Sequence, residues 1–508
     1  MKCWQSASGS SERNEGSEFL EVAVKRPNAV FILTALIAAV ALLASYWVNS
    51  LWEGQEDAYI TYSYAKHLAA GEGWIFSPGQ EPSYGSSTPL WTMLLAVTAR
   101  IGMAPHVSSP LLTSCLYAVS AVMMFRLLVP LSGLLVAFLS SLAWSLAFVV
   151  FFRTGGMETA LLIVLIAVLA HLLINPKSGW WPGVVMGLLL LTRPDSLILI
   201  LLAFAFWAVR REGRVRIAPN AIALACIYLP WMLYAWHTFG DVVPTSLRAK
   251  LAVATAFPSH FGLKSFRNQF LHDVSTLVLA IMLIGLAVGV LATWKKRPAL
   301  APLLMWIPCY WIAMARNAPD YSWYYAPPLW IAYASTFVGM AEVFRGRARP
   351  LAVPAMAALL AVLVQSNWVG IRSLRGPQAH THRQLGIHHR LANVVRAKAD
   401  PGDLVAAFEV GNLAYWSDRP VLDLMGLTSP EVLPFLESRS KMTDQIGAII
   451  RRTRPRFVLA CRMDKVFRSG GYKVIYSETD PARLTRKIWE RASPGPSLRG
   501  SRLWGRDP

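Results

Sequence analysis

The chain has 508 residues and a formal net charge of +20; 55% of it is hydrophobic and 15% charged, with a mean hydropathy of +0.40. A soluble globule of this length needs a far more charged surface, and several apolar runs approach the roughly 20 residues that cross a bilayer. The excess Lys and Arg lie in short connections between apolar runs and in the C-terminal region, which suits orientation and anionic lipid rather than nucleic acid.

The N-terminal stretch MKCWQSASGSSERNEGSEFLEVAVKRP is polar for too long to resemble a cleaved signal peptide, and residues 1–28 are expected to form a cytoplasmic tail. Membrane spans are expected at 29–49, 108–128, 131–150, 157–173, 181–192, 196–209, 217–236, 274–294, 299–315, 325–344 and 351–369. The run 89–103 is also apolar. The basic connections RREGRVR, WKKRP and FRGRARP all fall on the cytoplasmic side only if one candidate before Arg210 does not cross. The run 89–103 is short and is therefore assigned to the interface. About 11 spans result. The transmembrane module covers 29–372, with a first outer loop at 52–107 that carries two interfacial helices.

The region 373–491 alternates strand-like and helical pieces. The strand-like pieces are LVAAF, PVLDLMGL, RFVLAC and YKVIYS, and together they predict a periplasmic α/β domain. Residues 492–508 are rich in Gly, Pro and Ser and are expected to be disordered. Cys3, Cys115, Cys226, Cys309 and Cys461 form no CxxC pair, so neither a disulfide framework nor a thiolate metal site is supported.

This topology gathers the polar residues with chemical potential on the outer face. In EDAYITYSYAKHLAAG, Asp57 is placed to cap a helix that Gly71 ends, with Ile60, Tyr64 and Leu68 on one half-buried face. The helix N-terminus favours a carboxylate or a phosphate, although Glu56 and Asp57 can equally serve only as caps. RTGGMET supplies Glu158 beside two glycines that allow close backbone approach, or else an ordinary helix-start carboxylate. TRPD supplies Arg193 and Asp195, which also suit plain helix initiation with a snorkelling Arg. GDVVPTSLRAK offers Asp241, Arg248 and Lys250, which solvated interfacial charge would also explain. Tyr321, Trp323, Tyr324 and Tyr325 suit a sugar ring, a lipid groove or an aromatic belt. The histidines of HTHRQLGIHHR (His380, His382, His388 and His389) have no carboxylate or cysteine nearby in sequence and read as a solvated linker helix.

Carboxylates and cations on one membrane face suit the displacement of a phosphate from a lipid-linked sugar. A carboxylate takes the proton of the incoming hydroxyl, and positive charge stabilises the departing phosphate. Asp57, Glu56 and Glu158 are the catalytic candidates, and Arg193, Asp195, Lys250, Tyr64 and Tyr324 the substrate-binding ones. Asp57 and Glu158 are the candidate ligands of a divalent cation, Mg or Mn.

EDAYITYSYA, LAAGEGWIFSPG and SSTPLW resemble the first outer loop of GT-C glycosyltransferases, most similarly the mycobacterial terminal arabinofuranosyltransferase group and its bacterial relatives. GGMET, LTRPD and the GD-x-x-P…AK pattern follow in the order of that group, and the stretch 403–432 resembles its soluble domain. The resemblance implies a polyprenyl-phosphate sugar donor, a periplasmic active site in a multi-pass inner-membrane protein and, often, a divalent metal. Asp57 matches the second aspartate of the Asp-Asp-Ala-(Tyr/Phe) motif, Glu56 replaces the first, and Ser63 stands where many relatives carry Arg.

The expected activity is transfer of a sugar, arabinofuranose by resemblance, from a polyprenyl phosphate to an extracytoplasmic glycan acceptor. The partners are then the lipid donor, the acceptor and the bilayer, with no nucleic acid. A hexose or mannose transferase acting on lipopolysaccharide or protein is the alternative within the fold. A non-enzymatic transporter of lipid-linked glycan is the alternative outside it, and would place polar groups at mid-membrane depth.

Overall fold

Proline and glycine mark the limits of most helices in the computed structural model, which describes residues 27–50, 55–256, 276–317, 322–344, 349–375, 380–438, 440–460, 463–479 and 485–492. Helix α1 (Pro27–Ser50) is followed by the two helices of the first long loop, α2 (Glu56–Ala70) and α3 (Pro89–Arg100). The bundle continues through α4 (Pro105–Ser132), α5 (Leu134–Ser145), α6 (Phe148–Arg153), α7 (Thr159–Ile174), α8 (Trp181–Thr192) and α9 (Leu197–Val209). Then come α10 (Ile217–Phe239), α11 (Thr245–Ala256), α12 (Thr276–Lys296), α13 (Ala301–Asn317), α14 (Leu329–Val343) and α15 (Arg349–Arg375). Pro stands in the first two positions of α3, α4 and α8, where its missing N–H has no helical partner to lose.

Among the described residues, five helices are long and apolar enough to cross a bilayer: Pro27–Ser50, Pro105–Ser132, Gly213–Phe239, Leu279–Lys296 and Pro350–Val369. The remaining expected spans also fall on helices, but shorter ones, and 131–150 is broken into α5 and α6 at Leu146 and Ala147. Helices α12 and α14 pack through small residues. A Cβ on Gly289 would lie 1.7 Å from the Ser335 carbonyl, and one on Gly339 would lie 1.8 Å from that of Gly285. Such contact brings two backbones together where apolar side chains have lipid as an equal alternative.

The C-terminal region starts with α16 (His380–Lys398) and continues through β1 (Val405–Ala407), α17 (Gly411–Ser417), β2 (Val421–Asp423), α18 (Leu433–Leu436), α19 (Met442–Thr453), β3 (Phe457–Ala460), α20 (Asp464–Ser469), β4 (Tyr472–Thr479) and β5 (Thr485–Arg491). The five strands form one sheet in the order β2-β1-β3-β5-β4. β1 is parallel to β2 and β3, while β5 is antiparallel to β3 and β4. Four strands fall on the expected stretches. The fifth, TRKIWER, was not expected from the sequence, because charged residues surround the two apolar side chains it buries, Ile488 and Trp489.

One apolar cluster joins this region to the first long loop. Ile60 and Tyr64 of α2, with Trp74 and Tyr84 beyond it, pack with Trp231 of α10, Leu391 of α16 and Val405, Phe457 and Ile488 of the sheet. Two expectations are corrected by this packing. Helix α2 is not half-buried along one face: every residue from Ala58 to Ala65 is buried, because α17 covers the side that would otherwise meet water. His388 does not belong to a solvated linker. It is 3% exposed and ion-paired with Glu409, a carboxylate that only the folded β1–α17 connection brings near. Residues 1–26 and 493–508, where the cytoplasmic and disordered tails are expected, lie outside the described residues, as do Tyr321 and the side chains of His380 and His382.

Candidate active site

The site begins at the N-terminus of α2. Asp57 does not cap the helix as expected. Gln55 is the extended residue before the first turn, and its Nε2 donates to the Arg153 carbonyl at 3.0 Å, which leaves Glu56 and Asp57 inside the first turn. Gly71 ends the helix in the left-handed region, φ 81°, as expected. Glu56 Oε1 accepts a hydrogen bond from the Asn412 amide of α17 at 3.1 Å. Burial, then the negative charges of Asp57 and Glu409, pushes the Glu56 carboxyl well above its usual range. Burial also raises Asp57, against the opposing charge of Lys250 and with the support of Glu409. Carboxylates made reluctant to ionise in this way are stronger proton acceptors once ionised.

RTGGMET is fixed from three sides. The Gly156 carbonyl accepts hydrogen bonds from Ser109 Oγ at 2.6 Å, Tyr62 Oη at 3.2 Å and Trp91 Nε1 at 3.3 Å. The close approach that its glycines permit is thus taken up by the protein's own side chains, and Glu158 is held at the start of α7, 5% exposed. Arg193 closes α8 in extended conformation and is 4% exposed, so it is no snorkelling side chain. Its Nη2 lies 2.6 Å from Asp195 Oδ2 and its Nε 3.1 Å from Oδ1; Nη1 reaches Glu158 Oε1 at 3.4 Å. Tyr310 Oη donates to Asp195 Oδ2 at 2.8 Å.

Tyr324 connects this buried network to the rest. The Arg193 guanidinium lies 4.8 Å from its ring centre and Lys250 Nζ 5.2 Å, and Lys250 Nζ donates to its hydroxyl at 2.7 Å. The charge of Lys250 acts on both Asp57 and Glu158. Glu158, Arg193, Asp195, Lys250 and Tyr324, spread over almost 170 positions, therefore form one connected set, and Asp57 lies within reach of its Lys250 charge. Glu158 and Arg193 are buried, while Lys250, Tyr324, Glu56 and Asp57 are partly open.

Against solved structures, the chain is similar to ArnT from Cupriavidus metallidurans bound to undecaprenyl phosphate, with a TM-score of 0.54 and 13% identity over 91% of this chain and 99% of that one. It is similar also to the Archaeoglobus fulgidus oligosaccharyltransferase complex with Zn and sulfate, with a TM-score of 0.58 and 11% identity over 89% and 72% of the two chains. A third match is AglB from Archaeoglobus fulgidus in complex with an inhibitory peptide and a dolichol-phosphate, with a TM-score of 0.57 and 10% identity over 89% and 74%. The fold is GT-C. A family model described as a domain of unknown function, DUF8728, matches residues 372–498. No curated protein matches the chain by sequence.

Within this shared fold some candidates stand apart from the set. Tyr64 is fully buried; its hydroxyl lies 2.7 Å from Ser83 Oγ and accepts from the Gly85 amide at 3.2 Å, at the joint between loop and sheet. Asp241 and Arg248 form an exposed pair with each other at 3.1 Å. Ser63 is 0% exposed within α2, so this position packs rather than faces a ligand. Two residues that adjoin the set went unrecognised in the sequence. Tyr310 sits in an unbroken apolar run that offers no signal. Glu409 follows the carboxyl end of a parallel strand, the edge where α/β sheets open their crevices, and that rule would have found it.

The donor set does not fit a divalent cation. Among the described residues no three His, Cys, Asp or Glu side chains converge as such an ion needs. Of the two nominated ligands, Glu158 faces Arg193, and both lie within reach of the Lys250 charge. No step below is routed through a metal.

Proposed function

We propose that the protein is an inner-membrane glycosyltransferase that moves a sugar, arabinofuranose, from a polyprenyl phosphate to a glycan acceptor at the periplasmic face. The carrying observation is Lys250, bonded to Tyr324 beside Arg193, with its charge acting on Asp57 and Glu158 together. A proton acceptor and two cations at one place match what phosphate displacement requires. Solved structures of the same fold hold undecaprenyl phosphate and dolichol-phosphate, which supports the donor class. The choice of arabinofuranose rests on the first-loop resemblance around EDAYITYSYA.

In the reaction an acceptor hydroxyl gives its proton to Asp57 while its oxygen bonds to the anomeric carbon. The bond from that carbon to the phosphate oxygen breaks, and the electron pair leaves with the polyprenyl phosphate. Lys250 meets the developing phosphate charge. Arg193, forked onto Asp195 and bound to Glu158, holds Tyr324 and Glu158 in place and adds its field. Glu56, locked by Asn412, fixes the first turn that carries Asp57.

Purified protein in detergent, supplied with radiolabelled polyprenyl-phosphate arabinofuranose or a hexose counterpart and a glycan acceptor, tests this reading. The expected result is labelled glycan with the pentose donor, formed where there is no membrane to cross, which also excludes pure transport. Turnover with the hexose donor alone would move the assignment to the alternative transferase. No turnover with either would overturn the reading.

A further inference from the structure

Glu409 is a carboxylate of the C-terminal region for which the chemistry above has no use. Its Oε2 accepts from His388 Nε2 at 2.8 Å and from Arg486 Nε at 3.3 Å. Burial works against its charge, but His388 and Arg486, by hydrogen bond and charge, prevail and hold it down to about 2. Both partners are 4% exposed, whereas 47% of the Glu409 side chain stays open. In an ordinary surface ion pair both ends move and little is gained. Here two buried groups hold an open carboxylate in one position, and both bond to the same oxygen.

That carboxylate precedes the segment that packs on the first turn carrying the proposed base. Two residues further on, Gly411 packs on the Glu56 carbonyl, Asn412 binds Glu56, and the charge of Glu409 acts on both Glu56 and Asp57. A fixed negative charge repels the phosphate of a lipid donor, whose place is at Lys250 and Arg193. It suits a neutral polyol, whose hydroxyls donate to carboxylate oxygens in strong charge-assisted bonds.

We propose that Glu409 binds the acceptor: its second carboxylate oxygen accepts a hydrogen bond from one hydroxyl of a saccharide and so sets a neighbouring hydroxyl at Asp57. This rests on the glycosyltransferase reading and names the residue by which the C-terminal region selects an acceptor with adjacent hydroxyls. His388 and Arg486 act through Glu409 as positioning residues.

The test uses full-length protein in detergent with a polyprenyl-phosphate sugar and measures two rates: transfer to an oligosaccharide acceptor, and hydrolysis of the donor by water with no acceptor present. In Glu409→Gln, which keeps the acceptor atoms for His388 and Arg486, the KM for acceptor should rise about ten- to a hundredfold, the loss of one charged hydrogen bond. Well above the Asp57 limb, where loss of the Glu409 charge no longer alters the ionisation of the base, donor KM and donor hydrolysis should stay unchanged, and Glu409→Asp should recover part of the acceptor affinity. An unchanged acceptor KM in Glu409→Gln overturns the inference. So does donor hydrolysis that falls in step with transfer, which would place Glu409 in the chemical step or in folding. Wild-type protein that consumes no lipid-phosphate sugar overturns the underlying functional reading instead, and shows this before any variant is compared.

Discussion

Replacing Gly411 with alanine probes the seam on which the site depends. A Cβ there would lie 2.3 Å from the Glu56 carbonyl oxygen, 3.0 Å from Glu56 Oε2 and 3.1 Å from the Ile60 nitrogen. The nearest of these is a backbone atom inside a buried helix and cannot swing aside, so α17 must retreat from α2 by roughly 1 Å. That movement stretches the 3.1 Å bond from the Asn412 amide to Glu56 past useful length. Overpacking of this kind costs about 1–3 kcal/mol, and the weakened charged bond adds to it without full additivity. The larger effect is geometric: a shift of about 1 Å at a reacting group can lower the rate on the order of 100-fold. Transfer by purified Gly411→Ala should therefore fall about 100-fold, with a lower melting temperature. The matched control is Gly402→Ala, whose Cβ would meet nothing within 4 Å and should leave both readings unchanged. Wild-type rate and melting in Gly411→Ala would show that the seam is loose and that the C-terminal region does not set the first turn of α2.

Asp57→Asn should lower kcat by about 10²–10⁴. In the wild type, kcat/KM should fall as pH drops through the raised Asp57 value, which lies above the ~3.9 of an ordinary Asp, and Lys250→Met should carry that limb to higher pH by removing the charge that favours the ionised form. Arg193→Met leaves Glu158 and Asp195 without their shared cation, so thermal melting should report a loss of about 3–5 kcal/mol. Arg193→Lys should retain part of that stability while losing the fork onto Asp195. Burial lifts Asp423 to about 6, and burial with the charge of Asp423 lifts Glu431 to about 8. The stability of protonated Glu431 is full below the unfolded value and is lost as pH rises through about 8. Melting of Glu431→Gln against wild type should show no gain at pH ~4 and a gain of about 3 kcal/mol at pH ~7.

The bundle and the cationic half of the site were legible because their signals are local. TRPD places Arg193 at a helix end through the proline that follows it, GGMET places Glu158 at a helix start, and both ends fall on one side because α7 and α8 are consecutive. The environment of Asp57 was not legible. The periodicity of EDAYITYSYA shows one apolar face, and the second is apolar only because α17, about 350 positions later, lies on it. His388 misled for the same reason: its partner Glu409 is distant in the chain and meets it only after β1 has joined the sheet. Where a partner lies within a turn or two, residue type and spacing suffice. Where it lies across the chain, they do not.

That long-range seam also bears on how an acceptor reaches Asp57. If the C-terminal region were a lid hinged on α16, opening it would expose Ile60, Tyr64, Trp74 and Tyr84 together with the strand residues they meet in one cluster. Each large side chain taken from such a core to water costs about 1.5–3 kcal/mol, so opening would cost on the scale of a domain's whole stability. A closed seam with an entry at its edge fits better. The residues left open or partly open are Glu409 in the C-terminal region and Asp57, Lys250 and Tyr324 in the bundle and its loops. Under the proposed reaction, specificity would then be set by fixed charges, negative on the acceptor side and positive where the phosphate departs, and not by movement of one region against the other.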